Sequence, residues 1–76
     1  MRPHQLDARH LLCPMPVIRT QNFIKTLNSG DVVEVICTDP GALIDVPSWC
    51  RINGHRILAT ESTENEIRLT IEVDGG

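Results

Sequence analysis

A single cysteine, Cys13, is followed by two prolines spaced by one residue in the stretch L-L-C-P-M-P-V-I, residues 11–18. A residue before proline is biased towards extended backbone, whereas proline itself suits the first position of a helix. The pattern therefore predicts that Pro14 opens a helix and that Cys13 lies at its N-cap. Because the positive end of a helix dipole favours thiolate over thiol, we expect Cys13 to carry a negative sulfur species, thiolate or persulfide.

The two prolines also limit which backbone N–H groups can meet that sulfur. An N-cap side chain accepts a hydrogen bond from the second or third helical residue. Pro16 would be the third residue and has no N–H, which leaves Met15 at the second position, and then Val17, as donors. The prolines would also stiffen the first turn, so that the sulfur projects from it.

Positive side chains lie on both sides of the cysteine, with Arg9 and His10 before it and Arg19 after it. We expect these three residues to help dock an acidic partner surface. No histidine or aspartate follows Cys13 at a fixed short spacing, which favours a sulfur handed between proteins over a hydrolase nucleophile. From the residues alone an alternative stays open, in which Cys13 is a small apolar residue that starts a helix.

The remaining candidate residues have structural interpretations. Cys37, in the stretch V-V-E-V-I-C-T, is predicted to lie in the core. Cys50 is predicted to pack within a helix, with a resolving or secondary sulfur role as the alternative. Asp39 and Asp45 are interpreted as helix caps. The three histidines lack metal-ligand spacing with any cysteine, so neither a metal site nor a cofactor is predicted.

Length and composition indicate one domain over residues 1–76. The net charge is −3, the basic residues are scattered, and Trp49 and Phe23 are the only aromatic residues, so direct nucleic-acid binding is not expected. No apolar run is long enough to span a membrane, and the first residues are too polar for a secretory signal. Three cysteines without a C-x-x-C motif predict free thiols and a cytoplasmic location.

The first half of the chain must position Cys13. The stretch H-Q-L-D-A-R predicts a short strand before the motif. The helix opened by Pro14 is predicted from residues at helical spacing, Val17, Ile18, Gln21, Ile24 and Leu27. They form an apolar stripe that is broken only by Gln21. Gly30 would lie just past the end of that helix as a left-handed cap. The β-branched stretch D-V-V-E-V-I-C-T predicts a second, well-buried strand.

In the second half, Asp39-Pro40 predicts the start of another helix, and Gly54 its end. Pro47 lies inside it, so we expect an interruption near Asp45, which could cap a second short helix. Residues 55–62 and 67–73 predict two strands joined by a turn at Glu64-Asn65. The order βαβαββ indicates a two-layer α/β sandwich, with both helices on one face of a four-stranded mixed sheet.

Three stretches of the chain resemble the TusA/SirA family of small sulfur-carrier proteins. L-D-A-R-H-L-L-C-P-M-P, residues 6–16, is similar to the opening strand and C-P-x-P signature of that family. D-P-G-A-L-I-D-V-P-S-W-C, residues 39–50, is similar to its second signature, and N-G-H, residues 53–55, to the turn into its third strand. The resemblance covers nearly the whole chain and implies a two-layer sandwich.

The resemblance also implies a function. In this family a cysteine desulfurase or a rhodanese loads a persulfide onto the cysteine of C-P-x-P, here Cys13. The sulfur then passes to a cysteine of a downstream protein, such as a DsrE-like acceptor, in tRNA thiolation, sulfur oxidation or molybdenum-cofactor assembly. We expect a monomer that forms transient complexes and acts as a sulfurtransferase.

Two other functions remain open at this point. A binding or regulatory module would use Cys13 only as a cap, and its thiol would have ordinary reactivity. The terminal Gly75-Gly76 resembles the end of ubiquitin-like sulfur carriers, which use a thiocarboxylate. Those proteins begin with a hairpin, whereas this chain is predicted to begin with a strand and a helix, so we interpret the tail as a frayed end.

Overall fold

The computed structural model describes residues 4–12 and 15–74, and within them four strands and two helices follow the order βαβαββ. The elements are β1 (His4–Ala8), α1 (Met15–Ile24), β2 (Val32–Cys37), α2 (Ala42–Ile52), β3 (Arg56–Ser62) and β4 (Ile67–Glu72). Each predicted strand is present, and loop 63–66 contains the predicted turn at Glu64-Asn65.

The strands form one mixed sheet in the order β1-β2-β4-β3. β1 and β2 are parallel, whereas β4 is antiparallel to both β2 and β3. Val35 pairs with Leu6 of β1 on one side and with Leu69 of β4 on the other, so β2 and β4 form the middle of the sheet. The two-layer α/β sandwich predicted from the sequence is confirmed.

The core lies between the helices and one face of this sheet. In β2 and β4 every second side chain is buried, and the buried partners face each other in register: Val33 with Ile71, Val35 with Leu69 and Cys37 with Ile67. Each helix buries residues four apart, namely Pro16, Thr20 and Ile24 of α1 and Ala42, Val46 and Cys50 of α2. Full burial of an aliphatic side chain stabilises by about 1.5–3 kcal/mol, so this aliphatic core holds the two layers together.

The buried stripe of α1 differs from the predicted one. Thr20 is fully buried, because its hydroxyl donates to the Pro16 carbonyl at 2.8 Å and so leaves no unpaired polar group. Ile18, predicted to be buried, is 40% exposed. The helix ends at Ile24 and the chain continues in turns, although Leu27 still packs against the core.

Gly30 has the predicted positive φ of 94°, but it does not cap α1. Its N–H donates to the Val73 carbonyl at 2.7 Å, and the Val73 N–H donates to the Asp31 carbonyl at 2.8 Å. Gly30 therefore belongs to the turn that leads into β2 beside the end of β4. The left-handed backbone predicted for this glycine is present, but it forms part of the turn before β2 and not a helix cap.

The predicted interruption of α2 is wrong, because the helix continues through Pro47 from Ala42 to Ile52. The Asp45 N–H donates to the Gly41 carbonyl at 3.0 Å, so Asp45 lies in the first turn and starts no second helix. Proline disturbs a helix most where its missing N–H and its ring affect the preceding turn. Here that turn is the first one of α2, where the helix is only beginning.

Both ends of α2 are closed by short-range hydrogen bonds. Asp39 acts just before the helix, where its Oδ1 accepts the Gly41 N–H at 3.1 Å, and Gly41 is the N-cap residue. At the other end Gly54 has φ 82°, and its N–H donates to the Arg51 carbonyl at 3.4 Å. The His55 N–H donates to the Cys50 carbonyl at 2.8 Å, which completes a Schellman cap and confirms that Gly54 ends the helix.

The topology brings several chain segments to one end of the molecule. Each helix follows a parallel strand and runs back along it, so both helices begin where β1 and β2 finish. The loop 63–66 between β3 and β4 lies there too, because Ile67 at the start of β4 pairs with Cys37 at the end of β2. We call this the motif end, made of residues 7–12, 15–19, 38–45 and 63–66.

Candidate functional site

Leu12 and Met15, the described residues on either side of the Cys13-Pro14 pair, lie at the motif end. Cys13, Pro14 and the predicted N-cap geometry are outside the described residues. Leu12 and Met15 are exposed to solvent, Leu12 at 76% and Met15 at 42%. The Met15 N–H donates to the Leu12 carbonyl at 2.8 Å. The prediction that this N–H is free for an anion is therefore wrong, because a backbone carbonyl already accepts its hydrogen.

Pro16 anchors the motif to the core. It is fully buried, and its carbonyl accepts the hydroxyl of Thr20 one turn later at 2.8 Å. The alternation of an exposed Met15 with a buried Pro16 fixes the rotation of the first turn of α1. One face of the motif therefore packs inward while Leu12 and Met15 remain accessible.

Arg9 forms a charged cluster with two carboxylates. Its guanidinium donates to both oxygens of Asp7, with Nε 3.0 Å from Oδ1 and Nη2 3.1 Å from Oδ2, and Nη1 is 3.4 Å from Oε2 of Glu66. The hydrogen bonds from Arg9 hold the pKa of the Asp7 carboxyl at about 2, well below its usual value. Because both acids neutralise it, Arg9 offers little net charge to an acidic partner, contrary to the sequence interpretation.

His10 ties the end of β1 to the end of β2. It adopts a left-handed backbone, with φ 64°, and its N–H donates to the Thr38 hydroxyl at 2.8 Å. Its side chain is exposed, as is that of Arg19 on the second turn of α1. The docking roles of His10 and Arg19 stay predictions.

The two cysteines outside the motif are buried. Cys37 and Cys50 are both fully inaccessible, and burial raises the pKa of each thiol to about 11, with the charge of Asp39 adding to the effect at Cys37. A thiol with this pKa is neutral near pH 7 and is a poor nucleophile. This favours a packing role for Cys50 over a secondary sulfur role.

Sequence reasoning missed part of the motif end. The pairing of Arg9 with Glu66 joins residues 57 positions apart, so only the fold could bring them together. Ile44 is 71% exposed although its side chain is apolar, and it was not singled out from the sequence. The sequence offered one signal for the Asp7–Arg9 contact. The two residues lie two positions apart in the stretch predicted as a strand, and residues two apart on a strand share a face.

A cavity of about 270 Å³ lies at the opposite end of the molecule, between the ends of the two helices. Its walls include Ile24, Lys25 and Trp49, and the Trp49 ring lies 5.2 Å from the ring of His55, whose Nδ1 accepts the Asp74 N–H at 3.1 Å. Among the residues that the structure describes, none that lines it belongs to the Cys13 motif. The cavity is therefore separate from the chemistry expected at Cys13.

Two further features are absent from residues 4–12 and 15–74. This part of the chain has no group of three or more His, Cys, Asp or Glu side chains arranged to hold a metal ion. Neither described helix has the length and apolar character needed to cross a membrane.

Comparisons with known proteins agree with this arrangement. A family model described as Sulfurtransferase TusA matches residues 4–73. The chain is 44% identical over 62 residues to the Bacillus subtilis protein named "Putative sulfur carrier protein YrkF", a match that covers 82% of this chain and 33% of YrkF. It is 45% identical over 53 residues to "Putative sulfur carrier protein YrkI" of the same organism, covering 70% of this chain and 71% of YrkI.

A solved structure shares the fold. The crystal structure of a SirA-like protein from Desulfitobacterium hafniense superposes with a TM-score of 0.79 at 25% sequence identity, covering 92% of this chain and 96% of that one. The chain thus spans a third of the length of one curated relative and nearly all of this structural neighbour.

Proposed function

The chain belongs to the TusA sulfurtransferase family, and from that premise we propose that it carries sulfane sulfur as a persulfide on Cys13. The observation that carries the proposal is the contrast among the three cysteines. Cys37 and Cys50 are buried with raised pKa values, whereas the described residues nearest to Cys13 in the chain, Leu12 and Met15, are exposed. The burial of Cys37 and Cys50 and the exposure of the residues near Cys13 support Cys13 as the sulfur carrier.

Each transfer is a thiol exchange in which no net oxidation occurs. The Cys13 thiolate attacks the outer sulfur of a persulfide on the donor; the new S–S bond forms as the donor S–S bond breaks, and the donor cysteine leaves as a thiolate. In the second step the acceptor thiolate attacks the outer sulfur of the Cys13 persulfide, and Cys13 leaves as a thiolate. The position just before α1 would stabilise the thiolate in both steps through the helix dipole.

The proposal includes the partners that the family implies. The donor would be a cysteine desulfurase or a rhodanese, and the acceptor a DsrE-like or other cysteine-bearing protein. The relay would supply tRNA thiolation, sulfur oxidation or cofactor assembly in the cytoplasm, through transient complexes of a monomer. Buried packing of Pro16 and exposure of Met15 support a motif that stays rigid while it meets such partners.

Intact-mass measurement tests the proposal. The chain is incubated with a cysteine desulfurase, cysteine and pyridoxal phosphate, and separately with a rhodanese and thiosulfate, and peptide mapping then locates the added sulfur. We expect a reductant-labile sulfur on Cys13, its loss in Cys13→Ser, and its retention in the matched control Cys50→Ala. Circular dichroism should show that Cys13→Ser keeps the fold.

Two outcomes would favour other functions. Unchanged loading of Cys13→Ser would contradict the proposal, and full biological activity of that variant would indicate a binding or regulatory module with a structural Cys13. Loss of loading only after deletion of Gly75-Gly76, which lie outside the described residues, would indicate thiocarboxylate chemistry.

A further inference from the structure

Large apolar side chains are exposed at the motif end, on both helices. Leu12 (76% exposed) and Met15 (42%) lie on either side of Cys13 in the chain, and Ile18 (40%) lies in the first turn of α1. Leu43 (36%) and Ile44 (71%) lie in the first turn of α2. Exposed apolar side chains that gather on one part of a small protein mark a binding surface. Nothing in the sulfur chemistry of Cys13 itself requires them.

The same end of the molecule is rich in acidic residues. The described part of the motif end contains five carboxylates and two guanidinium groups: Asp7, Asp39, Asp45, Glu64 and Glu66 against Arg9 and Arg19. Arg9 is held between Asp7 and Glu66, so this cluster alone has an excess of negative charge. The motif end therefore combines exposed apolar side chains with an excess of carboxylates.

We propose that the protein which loads Cys13 docks on this surface through apolar contacts and through lysine and arginine side chains. The inference rests on the proposed function, because it concerns the approach of the donor to Cys13. Complementary basic side chains would speed the encounter and orient the donor cysteine, while Leu12 and Ile44 would supply apolar contacts in the docked complex. The expected partner is thus basic at its contact surface, opposite in sign to the one predicted from Arg9, His10 and Arg19.

Charge also argues against a second copy of the chain as the occupant. Two motif ends facing each other would oppose carboxylates to carboxylates, and like charges across an interface are unfavourable. The apolar area at this end therefore suits a different protein better than self-association.

Two sets of variants test the docking surface against matched controls. Leu12→Ser and Ile44→Ser remove apolar contacts, and Ile52→Ser is their control, since Ile52 is 83% exposed at the other end of α2. The double variant Asp45→Lys with Glu64→Lys reverses the charge of two side chains at the motif end. Asp74→Lys, beyond the end of β4, controls for a change in net charge. Circular dichroism checks that each variant is folded.

The measurement is the rate of sulfur loading from two donors, the cysteine desulfurase of the same organism and the small molecule glutathione persulfide. Each motif-end variant should lower kcat/KM with the desulfurase by about tenfold, the effect of losing one well-buried interface side chain. Rates with glutathione persulfide should stay within about twofold of wild type, because a small donor needs no docking surface. The control variants should load normally from both donors.

The outcomes separate this proposal from the proposed function. Normal desulfurase kinetics in all variants, or loading of the wild type by glutathione persulfide alone, would overturn the docking surface and leave the carrier function standing. No sulfur on Cys13 from either donor would overturn both. A wild-type dimer in sedimentation that Ile44→Ser converts to a monomer would assign the surface to a second copy instead.

Discussion

Arg9 illustrates how the net charge that a residue presents to a partner depends on the side chains paired with it. In the sequence it is a cation before Cys13, but in the fold it holds Asp7 at 3.0 Å and Glu66 at 3.4 Å. Asp7 could be anticipated, because it lies only two residues away in the sequence. Glu66 could not, because its position depends on how β4 pairs with β2.

The Asp7–Arg9 pair predicts a pH dependence of stability. The pKa of Asp7 is lowered to about 2 by its hydrogen bonds with Arg9. A lowered carboxyl pKa stabilises the fold above the unfolded value of about 3.9, and this contribution is lost as pH falls towards the folded value. Wild type should therefore lose thermal stability between about pH 4 and pH 2 more steeply than Asp7→Asn.

Thermal unfolding followed by circular dichroism at several pH values measures this difference. Glu64→Gln removes a carboxylate from the same end of the molecule and is the control. Parallel acid profiles for wild type and Asp7→Asn would show that the pair contributes nothing to folding.

At the scale of the elements, the strands were the most predictable part. The alternation in I-R-L-T-I-E-V becomes buried Ile67, Leu69 and Ile71 in β4, because period-two patterning leaves one face for the core. The helices were less predictable. Thr20 is buried in α1 because Pro16 offers it a carbonyl, and hydropathy alone cannot show such a local partner.

The C-terminal cap of α2 gives a prediction for a single turn. Gly54 has φ 82°, and a Cβ atom added there would contact nothing within 4 Å, so the cost of Gly54→Ala is purely conformational. We expect a loss of about 1–2 kcal/mol of unfolding free energy. Gly41→Ala is the matched control at the other end of the helix, where the backbone is already helical at φ −59°, and should be neutral or slightly stabilising.

Urea unfolding of both variants decides the point. Equal stabilities for Gly54→Ala and Gly41→Ala would mean that the left-handed turn relaxes without cost. A larger loss for Gly41→Ala would mean that side-chain space, and not φ, limits the two positions.

At the scale of the whole molecule, the strand order predicts where the fold is most stable. β2 and β4 each pair with two strands and alternate buried with partly or fully exposed residues, whereas β3 lies at an edge and is exposed at six of its seven residues. Edge strands open at lower free energy than the strands that they border.

Hydrogen exchange followed by NMR should therefore be slowest at paired amides in the middle of the sheet, such as those of Val35 and Leu69. Hydrogen-bonded amides of β3 should exchange faster under the same conditions. Protection in β3 equal to that in β4 would contradict this order and indicate that the hairpin opens as one unit.

Only part of the candidate site could be predicted from the sequence. Cys13 and the buried Pro16 lie within one short motif, so local rules were enough to single them out. The exposed Ile44 and the carboxylate Glu66 come from distant segments, and their approach to the motif depends on strand order and helix direction. Local spacing cannot encode that arrangement.

The shared direction of the two helices gives the motif end an electrostatic potential that depends on distance. Each helix start contributes about half a positive charge whose effect fades within the first turn. The carboxylates of the motif end act through solvent over about 8 Å at physiological ionic strength. An anion beside the backbone should therefore experience a positive potential, and a cation further out a negative one. Added salt would screen the outer field first, slowing the approach of a basic protein while the ionisation of a sulfur beside α1 stayed nearly constant.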